Sequence, residues 1–164
     1  MATAALQAPG RHRIAAAALR DEVPTHTAHS TSGEVRQALL AVVGAHLSGM
    51  PLNHELTDRD GRLISKTTTS PHYRLFALPD TSPPKPALSR TRDGSRIDVE
   101  VWDMPTEAFG TFVAGIPYPL GIGSVELADG TWVNGFMCEG AALAGATEIT
   151  SYGGWRAYLA QRAR

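Results

Sequence analysis

Residues 39–53 read LLAVVGAHLSGMPLN. Leu39, Leu40, Val42 and Val43 form a continuous, partly β-branched apolar run, the pattern of a strand buried on both faces. The run stops at Gly44, and Gly49 closes a short turn that holds Ala45, His46, Leu47 and Ser48. A glycine-bounded turn after a buried strand aims several backbone N–H groups one way, and such a turn can hold a carboxylate or another small anion. His46 stands at its lip. Histidine is the side chain whose ordinary pKa permits proton exchange near neutral pH.

Outward from this stretch, the chain reads as short strands separated by turns. After Leu39 to Ala45, the polar-alternating Leu63 to Thr68 follows an Asp60-Gly61 turn, a hairpin signal. Tyr73 to Leu78 ends at Pro79, and the segment from Asp80 to Pro86, with Pro83-Pro84 inside it, reads as a loop. Leu88 to Arg92 and Ile97 to Trp102 flank Asp93-Gly94 and read as a further hairpin. Ile97, Val99 and Val101 share one face, and Asp98, Glu100 and Trp102 the other.

A helix follows, with Asp103 as cap and Pro105 in its first turn, and with Phe109, Phe112 and Val113 as its apolar stripe. Gly115 ends it. Ile122 to Leu127 and Thr131 to Cys138 pair through Asp129-Gly130, and a short helix near Trp155 closes the domain. The fold class is α+β: a small mixed, mostly antiparallel sheet curled into a partial barrel, with one main helix and a short C-terminal helix.

Composition narrows the function classes. The 164 residues suit one domain, here 34–164, after a mobile or disordered leader over 1–33 that is rich in Ala, Thr, Ser and His. A short helix over Ile14 to Glu22 is the alternative for part of that leader. The formal net charge of −1 offers no electrostatic case for nucleic acid or an anionic membrane. No apolar run approaches the roughly 20 residues of a membrane span. The single Cys138 excludes an intrachain disulfide, makes a Cys-based zinc site implausible and fits a reducing, cytoplasmic setting. His26 and His29 lack an acidic or Cys partner nearby, and His46, His54 and His72 lack a ligand spacing, so no metal is expected. Gly121-Ile122-Gly123 lacks the third glycine and long helix of a nucleotide loop, so no cofactor is expected.

Residues from about 35 to 162 resemble the C-terminal domain of allophanate hydrolase, an enzyme of ATP-dependent urea breakdown. The matching strings are AVVGAHLSGMPLN, PHYRLFAL, PLGIGSVELADGTWVNGF and EITSYGGWRAYLA. They fall in the family's order, and none is generic. The resemblance implies a gamma-glutamyl cyclotransferase-like fold, in which the loop after the first strand binds substrate. It also implies a role in urea degradation. The family's amidase releases ammonia and leaves N-carboxycarbamate, and the C-terminal domain promotes loss of carbon dioxide from that dianion. The GAHLSG string places the family's catalytic histidine at His46. No amidase motif stands in this sequence, so the chain reads as a free-standing copy that does not hydrolyse allophanate alone.

The expected substrate contacts are Gly44, Ala45, Leu47, Ser48 and Gly49, through backbone N–H groups and the Ser48 hydroxyl, with Asn53, Tyr73 and Glu139 around them. Asn53 is equally explained by turn chemistry. His72 and Tyr73 either orient a ligand or form a structural pair. Glu139 either pairs with His46 and raises its pKa or sits exposed in a turn. Cys138 reads as an inert buried thiol. The expected partners are a small carboxylate and a separately encoded amidase. Two other functions stay open: a non-catalytic module docked on that amidase, and a cyclotransferase acting on a gamma-glutamyl compound. Against the latter, Val113-Ala114-Gly115-Ile116-Pro117 contains no acid where the cyclotransferases carry their catalytic carboxylate.

Overall fold

A computed structural model describes residues 36–164. The leader over 1–33, the alternative helix and the His26/His29 pair lie outside the described residues. The order of elements is β1 (Gln37–Val42), α1 (His54–Thr57), β2 (Arg62–Thr68), β3 (Tyr73–Ala77), β4 (Pro86–Arg90), β5 (Asp98–Pro105), α2 (Thr106–Ala114), β6 (Leu120–Glu126), β7 (Trp132–Cys138), β8 (Thr147–Glu148) and α3 (Trp155–Arg162), with 3-10 turns flanking β8.

The fold is mixed α and β, built on two sheets. The larger has the order β2-β5-β1-β7-β6 and the smaller β4-β3-β8. Within the larger, β1 lies antiparallel to β5 and parallel to β7, and the other neighbours are antiparallel. This sheet is not a closed barrel. Its edge strands β2 and β6 meet at their C-terminal ends, where Thr69 bridges Leu127 and the Ser70 N–H donates to the Glu126 carbonyl at 2.8 Å.

Burial explains β1 and β5. Leu40, Ala41 and Val42 are buried, and so are Val43 and Ala45 beyond the strand's end, as an apolar run between two neighbouring strands requires. The strand stops at Val42, three residues short of the expected Ala45, because Gly44 begins the turn.

The expected hairpin of Leu88 to Arg92 with Ile97 to Trp102 does not form. β4 pairs with β3, and β5 crosses to the larger sheet to lie between β1 and β2. Asp93-Gly94 still bends the chain, but it carries it across Tyr73, where a Cβ on Gly94 would run into the Tyr73 backbone. An Asp-Gly turn bends a chain without choosing its partner. Burial chose here: Glu100 and Trp102 are as buried as Val99 and Val101, so β5 is a central strand with no polar face.

The Asp60-Gly61 turn likewise joins α1 to β2 and makes no hairpin; Asp60 takes a left-handed φ of 57° there. The β6–β7 hairpin forms as expected, with Gly130 at φ 85°. α2 has Pro105 at its N-cap and Gly115 at its C-cap, while Asp103 belongs to β5 and caps nothing. At the C-terminus, Gly154 lies so close to Asp98 that a Cβ would sit 2.9 Å from the Asp98 Cβ. That approach sets α3 against the start of β5, with Trp155 buried beneath it.

Candidate active site

The histidine loop is tied back on itself. The Leu47 N–H donates to the Gly44 carbonyl at 3.0 Å and the Leu52 N–H to the Ala45 carbonyl at 2.8 Å. Asn53 Nδ2 donates to the His46 carbonyl at 3.0 Å. These bonds leave His46 projecting between two phenylalanines. Its ring stacks on Phe136 of β7 at 5.1 Å and 15°, and it meets Phe112 of α2 edge-on at 5.3 Å and 83°. Its Nε2 lies 2.9 Å from Glu55 Oε2 on α1.

The His46 side chain is 13% exposed and that of Glu55 39%. Burial is the main influence on His46 and lowers its pKa below the ordinary value. The Glu55 hydrogen bond and charge oppose that shift, and Lys85 and His54 add to it. The imidazole is therefore neutral at pH 7.

His46 opens into a cleft of about 350 Å³. Gly44 and Ala45 form its floor beside the ring. Phe112, Gly115, Ile116, Pro117, Leu120 and Phe136 form an apolar wall, and Glu55, Arg59 and Lys85 bring charge to it. This mix of apolar lining and a few placed polar groups suits a small ligand. Arg59 is held by its own Nη1, which donates to the Glu55 carbonyl at 2.8 Å. Lys85 follows the cleft-lining Ser82 and Pro83, and precedes Pro86, whose ring fills the space a Cβ on Gly44 would need.

The structure brings His46, Gly44 and Ala45 together and separates the rest of the expected set. The Ser48 amide and hydroxyl do bind a carboxylate, but it is the protein's own: they donate to Glu100 Oε2 at 2.7 Å and Oε1 at 2.6 Å. Leu47 is buried on that same side, and Gly49 is exposed at φ 78°. Asn53 acts through the His46 carbonyl and does not line the cleft. Tyr73 is fully buried elsewhere, its hydroxyl accepting from the Glu126 N–H at 2.8 Å. His72 Nδ1 lies 3.8 Å from Glu126 Oε2, outside the cleft. Glu139 is exposed, with its N–H donating to the Pro119 carbonyl, and the carboxylate that pairs with His46 is Glu55. Cys138 is half-buried, and burial pushes its thiol pKa up, which keeps it unreactive.

Sequence reasoning missed Glu55, Arg59 and Lys85. The run HELTDRD carried a signal, because positions one helical turn apart share a face. Lys85 had only its place in a proline-rich loop. Among the described residues, no three His, Cys, Asp or Glu side chains gather as a metal site, and no helix is long and apolar enough to cross a membrane.

Residues 38–160 match the family described as the allophanate hydrolase C-terminal domain. The chain belongs to that family. It is 50% identical over 125 residues to a urea amidolyase of Saccharomyces cerevisiae, covering 73% of this chain and 7% of that protein. Allophanate hydrolase of Kluyveromyces lactis superposes with a TM-score of 0.75 at 42% identity, over 81% of this chain and 22% of that one. A uropathogenic E. coli-specific protein superposes with a TM-score of 0.70 at 34% identity, over 76% of this chain and 96% of that one. The first two relatives carry the domain within much larger proteins, of which this chain spans less than a quarter.

Proposed function

We propose that this allophanate hydrolase C-terminal domain promotes decarboxylation of N-carboxycarbamate, or of a similar small dicarboxylate, in urea breakdown. The observation that carries the reading is the His46–Glu55 pair in a cleft with Arg59 and Lys85 on its wall. In the reaction, the C–N bond to one carboxylate breaks, its electron pair passes to nitrogen, and nitrogen takes one proton. The products are carbamate and carbon dioxide. An amidase, on this or another chain, is the class of enzyme that supplies the substrate, and it is the domain's natural partner in the cytoplasm.

The charges on the wall divide the work. Arg59 and Lys85 face a dianion and offset its charge. Glu55 takes His46 Nε2, so Nδ1 is the nitrogen that passes a proton to the ligand. A neutral imidazole is no acid, but a bound dianion favours its protonated form. The substrate thereby charges the acid that attacks it. General acid catalysis of this kind contributes roughly 10²–10⁴-fold.

Malonate, a stable dicarboxylate, tests the site. Nuclear magnetic resonance titration is expected to shift the His46 ring signals saturably and to raise the His46 pKa. Absence of shifts at millimolar malonate overturns the reading.

A further inference from the structure

Behind the histidine loop, a buried carboxylate is covered by a partly buried serine and two exposed cations. Glu100 is 1% exposed, in the middle of β5. Its carboxylate accepts from the Ser48 N–H and hydroxyl, and from Arg156 Nη2 at 3.0 Å. Lys66 Nζ on β2 stands 3.5 Å from it, and Asp98 lines the same depression. The same Arg156 nitrogen donates to the Ser48 carbonyl at 2.7 Å and approaches the Ser48 hydroxyl at 3.2 Å. Every polar group of Ser48 is therefore engaged by two residues that lie 52 and 108 positions away.

We propose that Glu100 and Arg156 are positioning residues: together they latch the loop at Ser48 and so hold His46 between Phe112 and Phe136. The latch deepens the reading of His46 as the proton donor and rests on it for its functional meaning.

Three features support it. A carboxylate buried on a central strand is costly unless its oxygens are filled, and here the loop fills them. Burial alone pushes the Glu100 carboxyl up, but the Ser48 and Arg156 bonds outweigh it and hold the group ionised. Both ends of the latch also start from backbone that is tied into the fold. Val42, the last residue of β1, pairs with Glu100 across the sheet, and β1 leads straight into the loop. Arg156 adjoins the buried Trp155, and the Asp98 N–H donates to the Gly153 carbonyl at 2.8 Å. Ser48 lies two residues from His46, so a shift at one end of this short turn moves the other. The final helix, which touches no part of the cleft, thus governs its histidine.

The test is made on the full chain without ligand, with three variants: Arg156→Ala, Arg156→Lys and Glu100→Gln. Glu100→Gln takes the charge from the acceptor of the Ser48 N–H, and Arg156→Ala frees the Ser48 carbonyl and one side of the Glu100 carboxylate. By loosening the turn, each is expected to speed exchange of the Ser48 amide by at least about tenfold. The His46 pKa is expected to rise towards its ordinary value, because burial is what lowers it. Arg156→Lys is expected to recover part of both effects. Exchange that stays at the wild-type rate in Arg156→Ala, with the fold intact by thermal melting, overturns the latch. Faster exchange with an unchanged His46 titration overturns its positioning role. These readouts need no substrate, so they stand apart from the decarboxylation test. A latch that behaves as described in a domain that releases no carbon dioxide sinks the reaction alone.

Discussion

His46 Nε2 lies 2.9 Å from Glu55 Oε2, nine residues further along the chain and on a different element. The two face each other because the loop after β1 and the short helix α1 are joined by the Leu52-to-Ala45 and Asn53-to-His46 bonds. The pair sets the histidine's charge against the effect of its burial.

Glu55→Gln removes the charge that raises the His46 pKa and weakens the hydrogen bond that does the same, against the unchanged lowering by burial, Lys85 and His54. The His46 pKa is expected to fall further below the ordinary value. A proton-detected titration of the ring reads the change directly, and an unmoved titration contradicts the role given to Glu55.

Folding stability carries the same signature. The folded-state pKa of His46 is depressed, so the unfolded chain binds its proton first as pH falls. The histidine's contribution is fully present above the unfolded value of about 6.5 and is lost as pH drops from there through the folded pKa. Melting temperature measured from pH 8 to 5 is expected to decline more steeply in wild type than in His46→Gln.

Lys85→Met tests the wall of the cleft. Lys85 contributes to lowering the His46 pKa, so the variant is expected to raise it. Malonate affinity is expected to fall, while stability stays within about 0.5 kcal/mol because Lys85 is only half-buried at a loop. Calorimetry with malonate and thermal melting separate the two effects.

Gly44→Ala places a methyl group on the Pro86 ring. Overpacking of a well-filled site costs about 1–3 kcal/mol, and here the ring that must move forms part of the cleft. A lowered denaturation midpoint together with weaker malonate binding is the expected outcome.

The strings that name the family were legible in the sequence, and so were β1, the β6–β7 hairpin, α2 and the closing helix. Each of these is decided within a few residues, by an apolar run, an Asp-Gly turn or a Gly terminus. The partners of β4 and β5 were not legible, because the same local turn serves either pairing and the choice rests on burying both faces of β5. The site divides in the same way. His46 announces itself by its glycine-bounded turn, whereas Glu55 and Lys85 reach it only through the fold. Ser48 shows the limit most clearly: its amide and hydroxyl do hold a carboxylate, but one supplied by Glu100, which alternation had placed on a polar face.

The most direct test of the central claim couples this domain to an amidase that generates N-carboxycarbamate from allophanate and follows carbon dioxide release against ammonia release. With the wild-type domain present, carbon dioxide is expected to appear without a lag behind the first ammonia. His46→Ala is expected to restore the lag, with the step slowed roughly 10²–10⁴-fold. Equal carbon dioxide release with wild type, with His46→Ala and with no domain at all contradicts the account.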